Sequence, residues 1–134
     1  MIHTPLTTPG YAQAMQVPAG SRLLLVSGQI PVGPDGTLPE GFEAQCRQVW
    51  ANIFSTLDAA GMSPRDLVKV TTFLSDREYR HVNSAVRREL LGDHEPAVTV
   101  IVAGIYEQEW LLEIEAVAAA PATNAVTAAP ATTL

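Results

Sequence analysis

Residues Ala97 to Val102 (AVTVIV) form a β-branched run in which side chains directed to both faces of a strand are almost all apolar. A strand of that kind cannot leave one face in water, so both of its faces demand cover. The chain's own helices can supply one layer. The economical source of the second is another copy of the same chain, so oligomerisation is an expectation of the pattern itself.

The remaining segments say what the first layer is. Ser21 to Gln29 reads as a strand, bounded by Pro18-Ala19-Gly20 and followed by Pro34-Asp35-Gly36, where proline presets φ and glycine accepts a positive one. From Gly41 to Ala60, apolar residues recur at Phe42, Cys46, Val49, Ile53, Leu57 and Ala60, the three-and-four spacing of an amphipathic helix, and Gly61 ends it. Ser63-Pro64 makes a short capped turn into the strand Leu67 to Leu74. Asp76 can cap a second helix running through Tyr79, Val82, Val86 and Leu90 to a stop near Gly92. Trp110 to Val117 is the closing strand. Two helices over one face of a mixed β-sheet make a two-layer α+β domain. That domain is expected over residues 1–120, with Pro121 to Leu134, uncharged and without periodicity, as an appended Ala/Thr/Pro tail.

Composition removes several classes of function. With 134 residues, 47% hydrophobic and 16% charged, the chain suits one domain with a substantial core. A net charge of −6 repels nucleic acid, so none is expected as a partner. The basic pair Arg87-Arg88 is expected to lie on a solvated helix face; the alternative, one turn along the helix from Asn83, is the edge of a pocket. No apolar stretch reaches membrane-spanning length and no secretory leader is visible, so a cytoplasmic protein without a membrane partner is expected. The single cysteine, Cys46, excludes an internal disulfide, and its place on the apolar helix face marks it as core rather than nucleophile. His3, His81 and His94 lack metal-ligand spacing and no glycine-rich phosphate loop is present, so neither metal nor cofactor is expected.

Two features can carry chemistry. Glu113 and Glu115, two apart in a strand, share a face opposite Leu112, Ile114 and Ala116. The plain reading leaves both in water; the sharper one puts one carboxylate in an apolar cleft, where it could shuttle a proton. Ser27-Gly28-Gln29 closes the first strand at a turn or bulge, where a glycine lets a ligand approach the backbone.

Taken together these segments resemble the Rid family, also called the YjgF family, which includes the reactive-intermediate deaminases. The resemblance spans Thr8 to Ala118 and rests on Ser27 to Val32 (SGQIPV), Asn52, Ala59 to Gly61, Val68 to Asp76 (VKVTTFLSD), Val82-Asn83, Pro96-Ala97 and Leu112 to Ala118 (LEIEAVA). It implies a chorismate-mutase-like fold and a homotrimer whose sheets form a central barrel, with ligand pockets between subunits. It also implies that Glu113 positions a water, and that Tyr11, Ser27, Gly28, Asn83 and the positions of Val98 and Val100 bind substrate. In deaminating members, the place of Val98 holds an arginine that clamps the carboxylate of a 2-imino or 2-enamino acid.

Valine offers only apolar surface where arginine would give a bidentate contact. The expectation is therefore a divergent Rid-like enzyme using acid–base chemistry on an imine, enamine or related electrophilic small molecule of neutral or apolar character, in a specialised pathway. A non-catalytic Rid-like ligand-binding protein is the alternative, and a standard 2-iminobutanoate/2-iminopropanoate deaminase stands third. His94 is expected at a pocket rim or in a surface loop.

Overall fold

The computed structural model describes residues 8–122. Four strands, β1 (Arg22–Gln29), β2 (Leu67–Leu74), β3 (Ala97–Val102) and β4 (Leu112–Ala120), form one sheet in the order β1-β4-β2-β3. β4 runs antiparallel to both β1 and β2, while β2 and β3 are parallel. Two helices, α1 (Phe42–Ala59) and α2 (Arg80–Leu91), form the second layer.

The sheet alternates as its sequence dictates. Along β4, Leu112, Ile114, Ala116, Ala118 and Ala120 are buried, whereas Glu113, Glu115, Val117 and Ala119 on the other face are not. The buried set meets the apolar stripe of α1, namely Cys46, Val49, Trp50, Ile53 and Leu57, all at zero exposure. Polar residues inside this layer are tied down. Gln45 donates to the carbonyls of Pro39 and Glu109 and accepts from the Leu111 amide, which fixes the approach to β4. Asn52 donates to the carbonyls of Ile30 and Val32 at 3.0 Å each and holds the chain leaving β1.

Local signals act where they stand. Ser63 and Asp66 form a capping box around the 3-10 turn Pro64–Asp66 that feeds β2. Asp76 caps through the Glu78 amide, but it opens a 3-10 turn, Arg77–Tyr79, and the α-helix begins only at Arg80. The first strand does not turn at Ser27-Gly28. It continues through them as an irregularity in the pairing with β4.

β3 is an edge strand, and Val100, Ile101 and Val102 are 39%, 43% and 52% exposed. Leu23 and Leu25 on the helix-free face of β1 are 60% and 75% exposed. The second cover that the AVTVIV run demands is not supplied by the described residues. Among them, no helix is long and apolar enough to cross a membrane. The Ala/Thr/Pro tail lies outside the described residues from position 123 on.

Candidate functional site

Glu113 pairs with Phe73 and Glu115 with Thr71, both on the face of the sheet turned away from the helices. Glu115 is exposed, while Glu113 is half-buried. The difference comes from β1. Between Val26 and Gln29 that strand advances three residues while β4 advances two, from Ala116 to Ile114. Ser27 and Gly28 therefore share one place in the ladder, a β-bulge, which leaves backbone polar groups free of the sheet. It brings the bare α-carbon of Gly28 against Glu113. A β-carbon at Gly28 would overlap the carboxylate and lie 2.9 Å from its Cδ and 3.2 Å from its Cγ. Gly28 is required here for space, since its φ is not among the positive ones.

A second cluster forms at the other edge. The Ala12 amide donates to the Pro96 carbonyl at 3.0 Å, and Ala12 bridges Ala97 in parallel, so Tyr11 stands beside the start of β3. The Gly10 amide reinforces this by donating to Glu95 Oε2 at 2.9 Å. Val98 pairs with the buried Val70 and Val100 with the buried Thr72, so both valines face the helix layer. Val98 packs on the core, whereas Val100 keeps 39% of its surface although it points the same way. α2 thus leaves Val100 open to solvent, which makes the gap between α2 and β3 a candidate cleft.

α2 sends Asn83 and Arg87, one turn apart, into its buried side at 1% and 4% exposure. The Arg87 guanidinium carbon lies 5.9 Å from the centroid of the Tyr11 ring, a cation–π arrangement. Both amide atoms of Asn83, Arg87 Nε and Thr72 Oγ1 are buried without a hydrogen-bond partner. Burial first, then repulsion from Arg88, lowers the pKa of Arg87 from its ordinary value, and Tyr11 opposes this. The guanidinium still carries its charge at neutral pH.

The structure thus places Tyr11 between the start of β3 and Arg87 of α2, with Asn83 on the same buried side of α2 and Val98 and Val100 facing the helix layer, and separately joins the Ser27-Gly28 bulge to Glu113. The two groups lie on opposite faces of one sheet. Arg87 corrects the expectation of a solvated Arg87-Arg88 pair: only Arg88 is exposed, with its side chain across Gly10. The buried stripe of α2 is Asn83, Val86, Arg87 and Leu91, while Val82 is 38% exposed. Four-residue spacing from Asn83 was the available signal for Arg87, and reading the stripe through Val82 obscured it. His94 stands half-buried in the loop after α2, where its Nε2 lies 2.8 Å from the Leu67 carbonyl and ties the end of α2 to β2. Cys46 is core, and burial pushes its thiol up to about 12, so it is no nucleophile. A hollow of about 510 Å³ between Pro18–Ser21 and Ala119–Ala122 lies at the far end of β4 from Glu113 and contains no titratable side chain.

The sequence model of the family described as Endoribonuclease L-PSP, the YjgF/Rid family, matches residues 1–120. This chain is a Rid protein. It is 37% identical over 110 residues to a RutC family protein of Pyrococcus horikoshii, an alignment covering 81% of this chain and 85% of that one. It is 31% identical over 121 residues to the 2-iminobutanoate/2-iminopropanoate deaminase of Escherichia coli K12, covering 87% and 91%. The Rid fold itself is shared with a Yersinia pestis protein of the conserved Rid family, with a TM-score of 0.78 at 27% identity over 87% of this chain and 95% of that one. The mixed four-stranded sheet with two helices is the arrangement of these Rid proteins.

Proposed function

We propose that this Rid protein hydrolyses a small imine, or an enamine that reaches the imine by protonation at carbon, to a carbonyl compound and ammonia. The observation that carries the reading is the Glu113 carboxylate, half-buried on the helix-free sheet face and seated against a glycine in a β-bulge. The deaminase name of the Escherichia coli relative supports the reaction class.

The chemistry needs one water and one proton shuttle. Glu113 accepts a proton as a water oxygen adds to the imine carbon, and the C=N π pair moves to nitrogen. The same proton then passes to that nitrogen. The carbinol hydroxyl then gives its own proton to the nitrogen by way of Glu113, the C–N bond breaks with its electron pair going to nitrogen, and ammonia leaves as the oxygen becomes the carbonyl. Free backbone amides at the Ser27-Gly28 bulge suit the oxygen on which charge develops. Tyr11 and Asn83 position the ligand, and Val98 and Val100 give it an apolar wall. No step calls for a metal or a cofactor. With a net charge of −6 the chain has no affinity to offer RNA, so an RNA-cleaving role gains no support.

Because the two halves lie on opposite sheet faces, one protomer cannot close a site between them. A homotrimer with the helix-free faces turned inward brings Glu113 of one copy to the α2–β3 cleft of the next and covers Leu23, Leu25 and Ile101. Val98 offers the carboxylate of a 2-imino acid no charged contact from the strand. The test generates 2-iminobutanoate with an amino-acid oxidase and follows its loss, alongside size-exclusion chromatography with light scattering. Glu113→Gln is expected to abolish the acceleration and keep the trimer; unchanged turnover would remove Glu113 from the reaction, and a monomer would remove the interface site.

A further inference from the structure

A guanidinium enclosed at 4% exposure needs an anion. Arg87 has none: among the described residues it takes part in no ion pair, and its buried Nε lacks any acceptor. The segments outside residues 8–122 carry no Asp or Glu side chain to supply one. Its neighbours are instead uncharged, with the Tyr11 ring at 5.9 Å and Asn83 one turn away with both amide atoms unpartnered. A lone buried charge is costly to keep, as are unpaired donors beside it. Asn83 and Arg87, one turn apart on the buried side of α2 with the Tyr11 ring 5.9 Å from the guanidinium, form a polar cradle whose missing component is negative.

We propose that Arg87 is the anion clamp of this site, holding a carboxylate of the substrate from the α2 side, with Asn83 and the Tyr11 ring fixing its orientation. This rests on the reading of the cleft as the substrate site and revises the expectation of a neutral substrate. Val98 denies an anion any contact from β3, so the charged group sits toward α2. The substrate class is then an anionic imine whose carboxylate is turned away from the strand. Glu113 does not belong to this cradle within one protomer, since it lies on the opposite face of the sheet.

The test compares 2-oxobutanoate, the keto-acid product of 2-iminobutanoate, with its neutral amide, 2-oxobutanamide, by titration calorimetry on the full chain. Arg87→Gln is expected to weaken 2-oxobutanoate about 10- to 100-fold, the range of a charge-assisted contact, and to change 2-oxobutanamide less than about 3-fold. Arg87→Lys is expected to recover part of the loss, since it restores the charge without the fork. Arg87→Met, which removes the unpaired buried charge and keeps the volume, is expected to raise the thermal midpoint of the ligand-free protein. Equal losses for acid and amide, or no 2-oxobutanoate binding by the wild type, would overturn the clamp. So would a lowered midpoint and broken oligomer in Arg87→Met, which would make the guanidinium a structural counter-ion to a carboxylate of a neighbouring copy. Binding that depends on Arg87 without turnover of any imine would sink the proposed hydrolysis and leave the clamp standing; imine turnover indifferent to Arg87→Gln would do the reverse.

Discussion

Gly28→Ala tests whether the bulge exists to place the Glu113 carboxylate. The new β-carbon would lie 2.9 Å from Glu113 Cδ and 3.2 Å from Cγ, and would overlap the nearer carboxylate oxygen. Carbon atoms rest at about 3.5–4.0 Å, so the carboxyl group must retreat by roughly 0.5–1 Å. The backbone can stay, because Gly28 is not in the positive-φ region. Displacing Glu113 from its preferred rotamer costs about 0.5–1.5 kcal/mol. Against this, replacing glycine by alanine in a compatible backbone stabilises by about 0.4–1 kcal/mol through the unfolded chain. The net change is within about 1 kcal/mol, a shift of only a few degrees in thermal midpoint for a domain of this size.

Chemistry responds on another scale. Misplacing a reacting group by about 1 Å costs on the order of 100-fold in rate. Scanning calorimetry and the coupled 2-iminobutanoate assay should therefore part company, with a near-native midpoint beside a kcat reduced about 100-fold. Wild-type kcat would show that the seat of Glu113 against Gly28 is irrelevant to turnover. A midpoint lowered by more than about 10 °C would show instead that Gly28 serves packing, since the predicted cost is far smaller.

Asn52→Ala removes two hydrogen bonds to the carbonyls of Ile30 and Val32, and should destabilise by about 1–3 kcal/mol in urea titration while loosening the chain after the bulge. Cys46, at zero exposure with its thiol pushed up to about 12, should resist a thiol-reactive dye in the native protein at pH 8 and react fully in denaturant. The carboxylates of Glu89 and Asp93 are held below their ordinary pKa by Arg47 and Arg65. Folding therefore binds fewer protons than unfolding near those pKa values. Their contribution is complete above the ordinary values of 4.5 and 3.8 and is lost as pH falls through the lowered ones. Both pairs are exposed, so Arg47→Met should flatten only the acid limb of stability against pH and leave neutral pH nearly unchanged.

Strand limits were legible to the residue at Leu67–Leu74, where a β-branched run met breakers on both sides, whereas the segment Glu95 to Val102 pairs only from Ala97 on, after Pro96. The limits of α1 were legible to one residue at each end because its three-and-four pattern is long. The shared face of Glu113 and Glu115 followed from period two alone. The bulge was legible only as an alternative to a turn at Ser27-Gly28, because register between β1 and β4 is fixed by partners some 90 positions apart, which no local window contains. The burial of Arg87 was only half legible: its spacing from Asn83 allowed a pocket edge, but a hydrophobic pattern scores arginine as a surface residue and read the stripe through Val82, whereas the structure buries Asn83 and Arg87.

The division of the site across two sheet faces gives the assembly a catalytic consequence that can be counted. If each site takes its α2–β3 cleft from one copy and its Glu113 from the next, a protomer damaged in one half still offers the other half intact. Glu113→Gln spoils the carboxylate half, and Asn83→Ala spoils the cleft half. Each variant alone should be inactive. After subunit exchange in an equal mixture, a site is whole when an intact cleft from a Glu113→Gln copy meets an intact carboxylate from an Asn83→Ala copy. Random assembly makes this happen for about one site in four, so about a quarter of wild-type activity should return. A site contained within one protomer would return nothing at any mixing ratio. Recovery near one quarter therefore requires that catalysis and association be a single property of this fold, whereas silence after demonstrated subunit exchange would break the link between the bulge-side carboxylate and the cleft beneath α2.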